Sequence, residues 1–248
     1  MKRTERRHLK ENELAQTIAV ARTAFEARKR PLSILLIVFL AIGAVVGGVT
    51  AWRQRDNARG QRLLANALVV LNARVIPPTS ASAQPGQVPA AATLGAEGSY
   101  ATEAAKLTAA LPKLKAAADA FPDTESGITA RYHYASSLAA LGKHEDAMTA
   151  FDEVIRRAGN DSLYGWMARL GKADTETRAG RFEAAIAAWK ELASSSDEVL
   201  PKDAILMELA KAYQATGNQA EARKTFSELV DKHPTSPYSP EARAELGS

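Results

Sequence analysis

The strongest hydrophobic pattern in the chain is an uncharged run of 20 residues from Leu32 to Ala51. At a rise of about 1.5 Å per residue, a helix of this length spans the roughly 30 Å hydrocarbon core of a bilayer. The pattern therefore predicts a transmembrane helix over residues 31–52. A cleaved secretory signal is the alternative, but its apolar stretch is only about 7 to 15 residues long and ends at a small-x-small site. About thirty residues precede this run, and it ends in Ala51-Trp52-Arg53, so an uncleaved anchor is the favoured interpretation.

Small residues recur at every fourth position of this predicted span. The positions are Gly43, Gly47 and Ala51. Such a stripe permits close helix packing, as in a homo-oligomer. Because glycine is common in membrane spans, the stripe is also compatible with a span that pairs with nothing.

The region after the span divides into three parts. Residues 53–75 carry one helical apolar stripe, at positions spaced i, i+3, i+4, i+7 and i+11: Leu64, Ala67, Leu68, Leu71 and Val75. Residues 76–99 are rich in Pro, Ala and Ser with almost no charge, which predicts a flexible loop. Residues 100–248 are helical in pattern, and no segment shows the alternation of a strand.

A repeat organises this last part. Three glycines are separated by 38 and 37 positions. Each glycine lies seven positions after an alanine, five positions before a second alanine and nine positions before an aromatic residue. The columns are Ala135, Ala173 and Ala210; Gly142, Gly180 and Gly217; Ala147, Ala185 and Ala222; Phe151, Trp189 and Phe226. Glycine suits the left-handed end of a first helix, alanines let two helices approach closely, and the aromatic ring fills the gap to the next pair. The columns predict three helical hairpins.

These hairpins resemble the tetratricopeptide repeat, a helix-turn-helix unit of about 34 residues. The third copy matches the family consensus at Leu206, Leu209, Ala210, Tyr213, Gly217, Ala222, Phe226, Leu229 and Pro234. Earlier copies depart from it, with Arg131, Arg169 and Glu176 at normally apolar positions. A fourth, degenerate copy is expected from Trp52–Val75 and Tyr100–Phe121. The predicted fold class is all-α: one transmembrane helix followed by a solenoid of three to four hairpins.

Charge divides the chain unevenly. Residues 1–30 carry nine basic and four acidic residues, residues 53–98 have a net charge of +3, and residues 99–248 have a net charge of −4. Basic residues within about twenty positions of the span are tied at four on each side. The basic tail resists translocation whereas a long domain does not, so we expect a cytoplasmic tail and a head outside. A mildly acidic head argues against nucleic-acid binding.

Catalytic and metal-binding motifs are missing from the sequence. The four histidines are scattered, there is no cysteine, and there is no phosphate-binding glycine loop. Acidic pairs such as Glu145-Asp146 fit a solvated helix face better than acid-base catalysis. The sequence predicts a non-enzymatic head that uses no cofactor and no metal.

A binding surface is implied by the resemblance to tetratricopeptide repeats, in which first helices line a concave face. The matching positions are Tyr132, Ser136, Met167, Leu170, Asp174, Arg178, Met207 and Lys211. Methionine beside Tyr and Leu suits adaptable recognition of apolar segments. The alternative, that some of these residues pack against neighbouring helices, remains open.

A basic tail, one span and a short repeat array resemble the ancillary translocon subunit family of bacterial inner membranes. That resemblance implies an inner-membrane protein with a periplasmic head and partners among SecYEG-type translocon subunits, periplasmic chaperones or client polypeptides. The alternative function is an accessory regulator of envelope biogenesis, in peptidoglycan or outer-membrane assembly. The span itself would contact membrane lipid.

Overall fold

The computed structural model describes residues 38–52, 54–76, 98–160, 162–197 and 199–247. The chain divides into two compact units, residues 1–55 and 56–248. The predicted cytoplasmic tail, the start of the predicted span and most of the Pro-rich loop lie outside the described residues. Residues 38–52 of the first unit are helical. Among the residues described, no helix combines the length and apolarity needed to cross a membrane.

The second unit is almost entirely helical. Its helices, with α1 given by its residues in this unit, are α1 (56–71), α2 (Glu103–Ala120), α3 (Glu125–Ala140), α4 (His144–Ala158), α5 (Leu163–Arg178), α6 (Phe182–Ser194), α7 (Lys202–Ala215), α8 (Gln219–Lys232) and α9 (Ser239–Gly247). Two short strands, β1 (Arg74–Val75) and β2 (Ser99–Tyr100), pair in parallel. The prediction was therefore wrong for Val75, which lies in β1 and not in the preceding helix, and for Tyr100, which lies in β2 and not in a helical segment.

The three repeat glycines end α3, α5 and α7 in left-handed geometry. Their φ angles are 73°, 74° and 76° for Gly142, Gly180 and Gly217. The residue after each glycine donates its N–H to a carbonyl five positions earlier, at 2.9, 3.0 and 2.9 Å. These bonds satisfy carbonyls that the helix end leaves without a partner. The predicted hairpins are confirmed as α3–α4, α5–α6 and α7–α8.

The alanine and aromatic columns form the centre of these hairpins. All six alanines are completely buried, and Phe151, Trp189 and Phe226 are at most 4% exposed. Phe151 belongs to a core cluster around α3, α4 and the start of α5. Trp189 and Phe226 belong to a larger cluster that continues to α9. The small side chains thus permit close helix approach and the rings fill the space between hairpins.

A preceding hairpin is formed by α1 and α2, as expected for the degenerate copy. Ala67 of α1 packs with Ala110 and Leu114 of α2. Gly60 allows a second close approach, since a Cβ atom there would lie 2.4 Å from Ser126 Oγ.

Three junctions between hairpins share one arrangement. In each junction, the backbone carbonyl of residue i accepts a hydrogen bond from residue i+3, which bears a hydroxyl group. A small residue at position i+6 lies against the same carbonyl. The sets are Phe121, Thr124 and Gly127; Gly159, Ser162 and Gly165; His233, Ser236 and Ser239. A Cβ atom on Gly127 or Gly165 would lie 1.8 or 2.0 Å from the carbonyl oxygen. These positions therefore require a side chain smaller than alanine or one that bonds the carbonyl.

The junction between α6 and α7 is built differently. Lys202 occupies the position of the small residue, and its Nζ donates to the carbonyl oxygens of Leu192, Ala193 and Ser195 at 2.8, 3.2 and 2.6 Å. The ammonium group thereby caps the end of α6. Burial lowers the pKa of Lys202.

Candidate functional site

The predicted binding residues lie on the first helices of the three hairpins, and we call this set the first-helix surface. Tyr132 and Ser136 lie on α3, Met167, Leu170, Asp174 and Arg178 on α5, and Met207 and Lys211 on α7. All except Met207 retain some exposure. Contact with a partner through these residues stays a prediction.

Tyr132 is the centre of an aromatic group between the first two hairpins. Its ring centroid lies 5.9 Å from that of Tyr164 at the start of α5 and 6.1 Å from that of Phe151 in the core. His133 lies 5.6 Å away edge-on, and burial lowers the pKa of this histidine. Tyr132 is therefore a rigid, half-buried ring, which suits a contact surface because ordering it costs little entropy.

An apolar stripe on α5 extends from this group. Leu163, Met167 and Leu170 are spaced i, i+4 and i+7, and Leu163 is 61% exposed. Leu170 packs partly against the larger core cluster. Leu163 and Tyr164 were missed by the sequence reasoning because they precede the consensus first position, although the helical spacing from Met167 was a usable signal.

The charged members of the surface are neutralised from within the chain. Arg178 Nε lies 2.8 Å from Asp174 Oδ2 on the same helix. Lys211 Nζ lies 3.0 Å from Glu241 Oε1 on α9. Ion pairs at such exposure contribute little stability, but they leave no isolated charge for a partner to neutralise. Glu241 was missed because its contact depends on where α9 packs.

Met207 was predicted to face a partner, and the structure corrects this. It is 0% exposed and lies within the larger core cluster. Leu206 and Tyr213 of the same helix are buried in that cluster too, so α7 contributes most of its apolar surface to packing. The accessible apolar part of the surface is therefore limited to α3 and α5.

Ion pairs hold the three residues that differ from the family consensus: Arg131, Arg169 and Glu176. Arg131 contacts Asp119 at 2.9 Å and Glu153 at 2.5 Å. Arg169 pairs with Glu191 and lies 4.7 Å from the Trp166 ring centroid.

Glu176 receives a hydrogen bond from Arg181 Nε at 2.6 Å. Each of these polar side chains has an opposite charge beside it, on a neighbouring helix for Arg131 and Arg169 and in the following turn for Glu176.

The hydrogen bond from Lys115, reinforced by Arg131, lowers the pKa of Asp119. Within the described part of the chain, no cluster of three or more His, Asp or Glu side chains could hold a metal ion.

The small-residue stripe lies in the helix of the first unit. A Cβ atom on Gly43 or Gly47 would meet nothing within 4 Å, and Ala51 is exposed. The stripe is accessible, and its pairing with another helix stays a prediction.

Comparison with known sequences decides the family. The profile of the tetratricopeptide repeat matches residues 96–162 and 166–237, more than half of the chain. The chain belongs to the tetratricopeptide repeat family. Its second unit is accordingly an all-α tetratricopeptide solenoid of nine helices among the residues described. Repeats of this family are typically non-catalytic scaffolds for protein–protein interaction, which gives the class of function.

Similar solved structures include the nearly identical TPR-like repeats of a Podosopora anserina putative kinesin light chain, 18% identical with a TM-score of 0.48. That match covers 57% of this chain and 76% of the other. The MamA RS-1 ArsTM double mutant is 17% identical, with a TM-score of 0.45. That match covers 57% of this chain and 82% of the other chain. No curated protein matches the sequence.

Proposed function

We propose that this chain is an interaction scaffold anchored in a bacterial inner membrane. Its amino terminus would be cytoplasmic and its tetratricopeptide head periplasmic. In this role it is an ancillary translocon or chaperone-adaptor protein that binds client polypeptides as they are translocated or assembled.

The exposed helix of the first unit carries the anchoring part of the proposal. Every residue from 38 to 52 is exposed, and none is charged. Eight large apolar side chains in it are 42% to 74% exposed: Val38, Phe39, Leu40, Ile42, Val45, Val46, Val49 and Trp52. Full burial of such a side chain contributes about 1.5 to 3 kcal/mol, so leaving all eight in water forgoes on the order of 10 kcal/mol. A bilayer is the solvent that removes this cost.

The first-helix surface supports the scaffold part of the proposal. Tyr132, Met167 and Leu170 present partly exposed apolar atoms on two adjacent hairpins. The neighbouring charges are paired with each other, which favours an apolar client segment over a charged one.

Anchoring and orientation are tested by labelling. The chain has no cysteine, so Thr4→Cys and Ala187→Cys each introduce a single thiol. A membrane-impermeant maleimide should label position 187 in intact spheroplasts and position 4 only after permeabilisation. The reverse pattern would contradict the orientation, and release of the head into the periplasmic wash would contradict the anchor.

Client binding is tested by placing a photocrosslinking amino acid at Met167. The matched control is Lys190, an exposed residue on the second helix of the same hairpin. With a secretory chain arrested during translocation, Met167 should crosslink to that chain or to the channel, and Lys190 should not. Crosslinks to peptidoglycan or outer-membrane assembly proteins instead would favour the envelope-biogenesis alternative.

A further inference from the structure

Helix α1 has one face in the core and another, exposed face that carries basic and polar side chains together with Val69, which is 71% exposed. Gly60 and Ala67 are buried against the following helices. Arg59, Arg62 and Asn66, spaced i, i+3 and i+7, are exposed on a different face. We call these three residues the α1 basic stripe.

The arginines of this stripe differ from most arginines of the head. Arg131, Arg157 and Arg181 each contact at least one carboxylate. No carboxylate in the described part of the chain lies within ion-pair distance of Arg59 or Arg62. Among the described residues, no ion pair therefore neutralises these two charges.

We propose that the α1 basic stripe binds the phosphate groups of anionic phospholipids at the membrane surface. The arginine fork suits phosphate oxygens, and Asn66 adds an amide donor. This inference rests on the proposed membrane anchor.

Chain connectivity supports a lipid surface as the ligand. Arg59 follows Trp52, the last described residue of the exposed apolar helix, by seven residues. Seven residues reach at most about 25 Å, whatever the arrangement of the two units. The head beyond residue 98 has a net charge of −4, so an anionic surface attracts this stripe selectively and repels the rest.

The stripe would therefore hold the head against the bilayer. Each basic residue at an anionic surface contributes roughly fivefold to binding, so two arginines favour the docked head by about 25-fold.

The test uses the full-length chain in nanodiscs, with a fluorophore on Ala65→Cys as the only thiol, because Ala65 is exposed beside the stripe and is not part of it. Discs contain phosphatidylcholine either alone or with phosphatidylglycerol, and both carry a headgroup-linked spin label that quenches nearby fluorescence. The control label is on Ala187→Cys of α6, which is also exposed. Quenching at position 65 should be strong only in the anionic discs, should fall with added salt, and should be absent at position 187.

The double change Arg59→Gln and Arg62→Gln should lower the equilibrium constant for docking by about 25-fold, which is measured as a loss of quenching in the anionic discs. The matched control, Lys190→Gln with Arg243→Gln, removes two exposed charges elsewhere and should leave quenching unchanged. Equal quenching in neutral discs, or quenching that survives the double change, would overturn the inference alone. A chain that fails to co-purify with discs would overturn both the anchor and the stripe.

Discussion

Replacing Gly165 with alanine tests the packing between hairpins most sharply. A Cβ atom there would lie 2.0 Å from the carbonyl oxygen of Gly159 and 3.1 Å from that of Asn160. Because Cβ atoms essentially never approach closer than 3.0 Å, the α4–α5 junction must open by at least about 1 Å. The obstacle is backbone, so no side-chain rotation relieves it.

The expected change in the free energy of unfolding is the sum of one stabilising and two destabilising contributions. Helix propensity favours alanine over glycine by about 1 kcal/mol. Overpacking costs typically about 1 to 3 kcal/mol. Opening the junction also weakens the cap in which Gly165 N–H donates to Ser162 Oγ at 2.9 Å, which contributes about 1 kcal/mol. The free energy of unfolding should therefore fall by about 1 to 3 kcal/mol, equivalent to about 2 to 12 °C in Tm.

The assay is urea unfolding of the full-length chain in mild detergent, followed by circular dichroism of the helices. Gly247→Ala is the control, since that glycine is helical and a Cβ atom on it would meet nothing within 4 Å. The control should match the parent chain. If Gly165→Ala is as stable as the parent or more so, the close approach at this junction is refuted.

Three further predictions use the same unfolding assay. Ala185→Leu should overpack the hairpin seam and lower the free energy of unfolding by about 1 to 3 kcal/mol, whereas Ala187→Leu on the exposed face should leave it nearly unchanged. Equal effects of the two changes would refute the repeat register. Lys202→Met should lower the free energy of unfolding by about 1 to 3 kcal/mol because it removes the cap of α6, and Lys190→Met should leave it unchanged. Equal urea midpoints for the two variants would refute the cap. Burial lowers the pKa of His133, so the folded state favours the neutral imidazole. The stability that this gives is fully present above the unfolded pKa of about 6.5 and is lost as pH falls through the folded pKa. His133→Gln should therefore flatten the decline in stability between pH 7 and pH 5, and an unchanged decline would contradict this assignment.

The hairpins could be predicted because their determinants are local. Gly142 must reach a left-handed φ of 73°, and Ala147 must be small enough to be completely buried. Both requirements select one residue type at a fixed spacing, and the repetition of that spacing made the register visible.

The junctions were not predicted, although they also repeat. Ser162 and Gly165 recur in the pattern of Thr124 and Gly127, but serine and glycine are common in any loop. Their roles become visible only when the carbonyl against which they pack is located. Lys202 breaks the pattern and compensates with a long side chain, which the sequence alone does not distinguish from a surface lysine.

The candidate site was predicted in position but only partly in exposure. Consensus spacing places Leu170 and Met207 at equivalent points on successive first helices. Leu170 is half-buried, whereas Met207 is enclosed by the larger core cluster, where α9 also packs. Burial at one repeat thus depends on the helices that pack after it, and that information is absent from the repeat itself.

The most direct test of the central claim is a triple change on the first-helix surface. Tyr132→Ser, Met167→Ser and Leu170→Ser remove its accessible apolar side chains, with a photocrosslinking amino acid at exposed Leu163 as the reporter. A hot-spot residue contributes about 2 kcal/mol or more, so three changes should reduce a micromolar interaction below detection. We expect loss of crosslinking to an arrested translocating chain, with helix content and membrane insertion unchanged. Full crosslinking by a folded triple variant would contradict the claim that this surface binds the client.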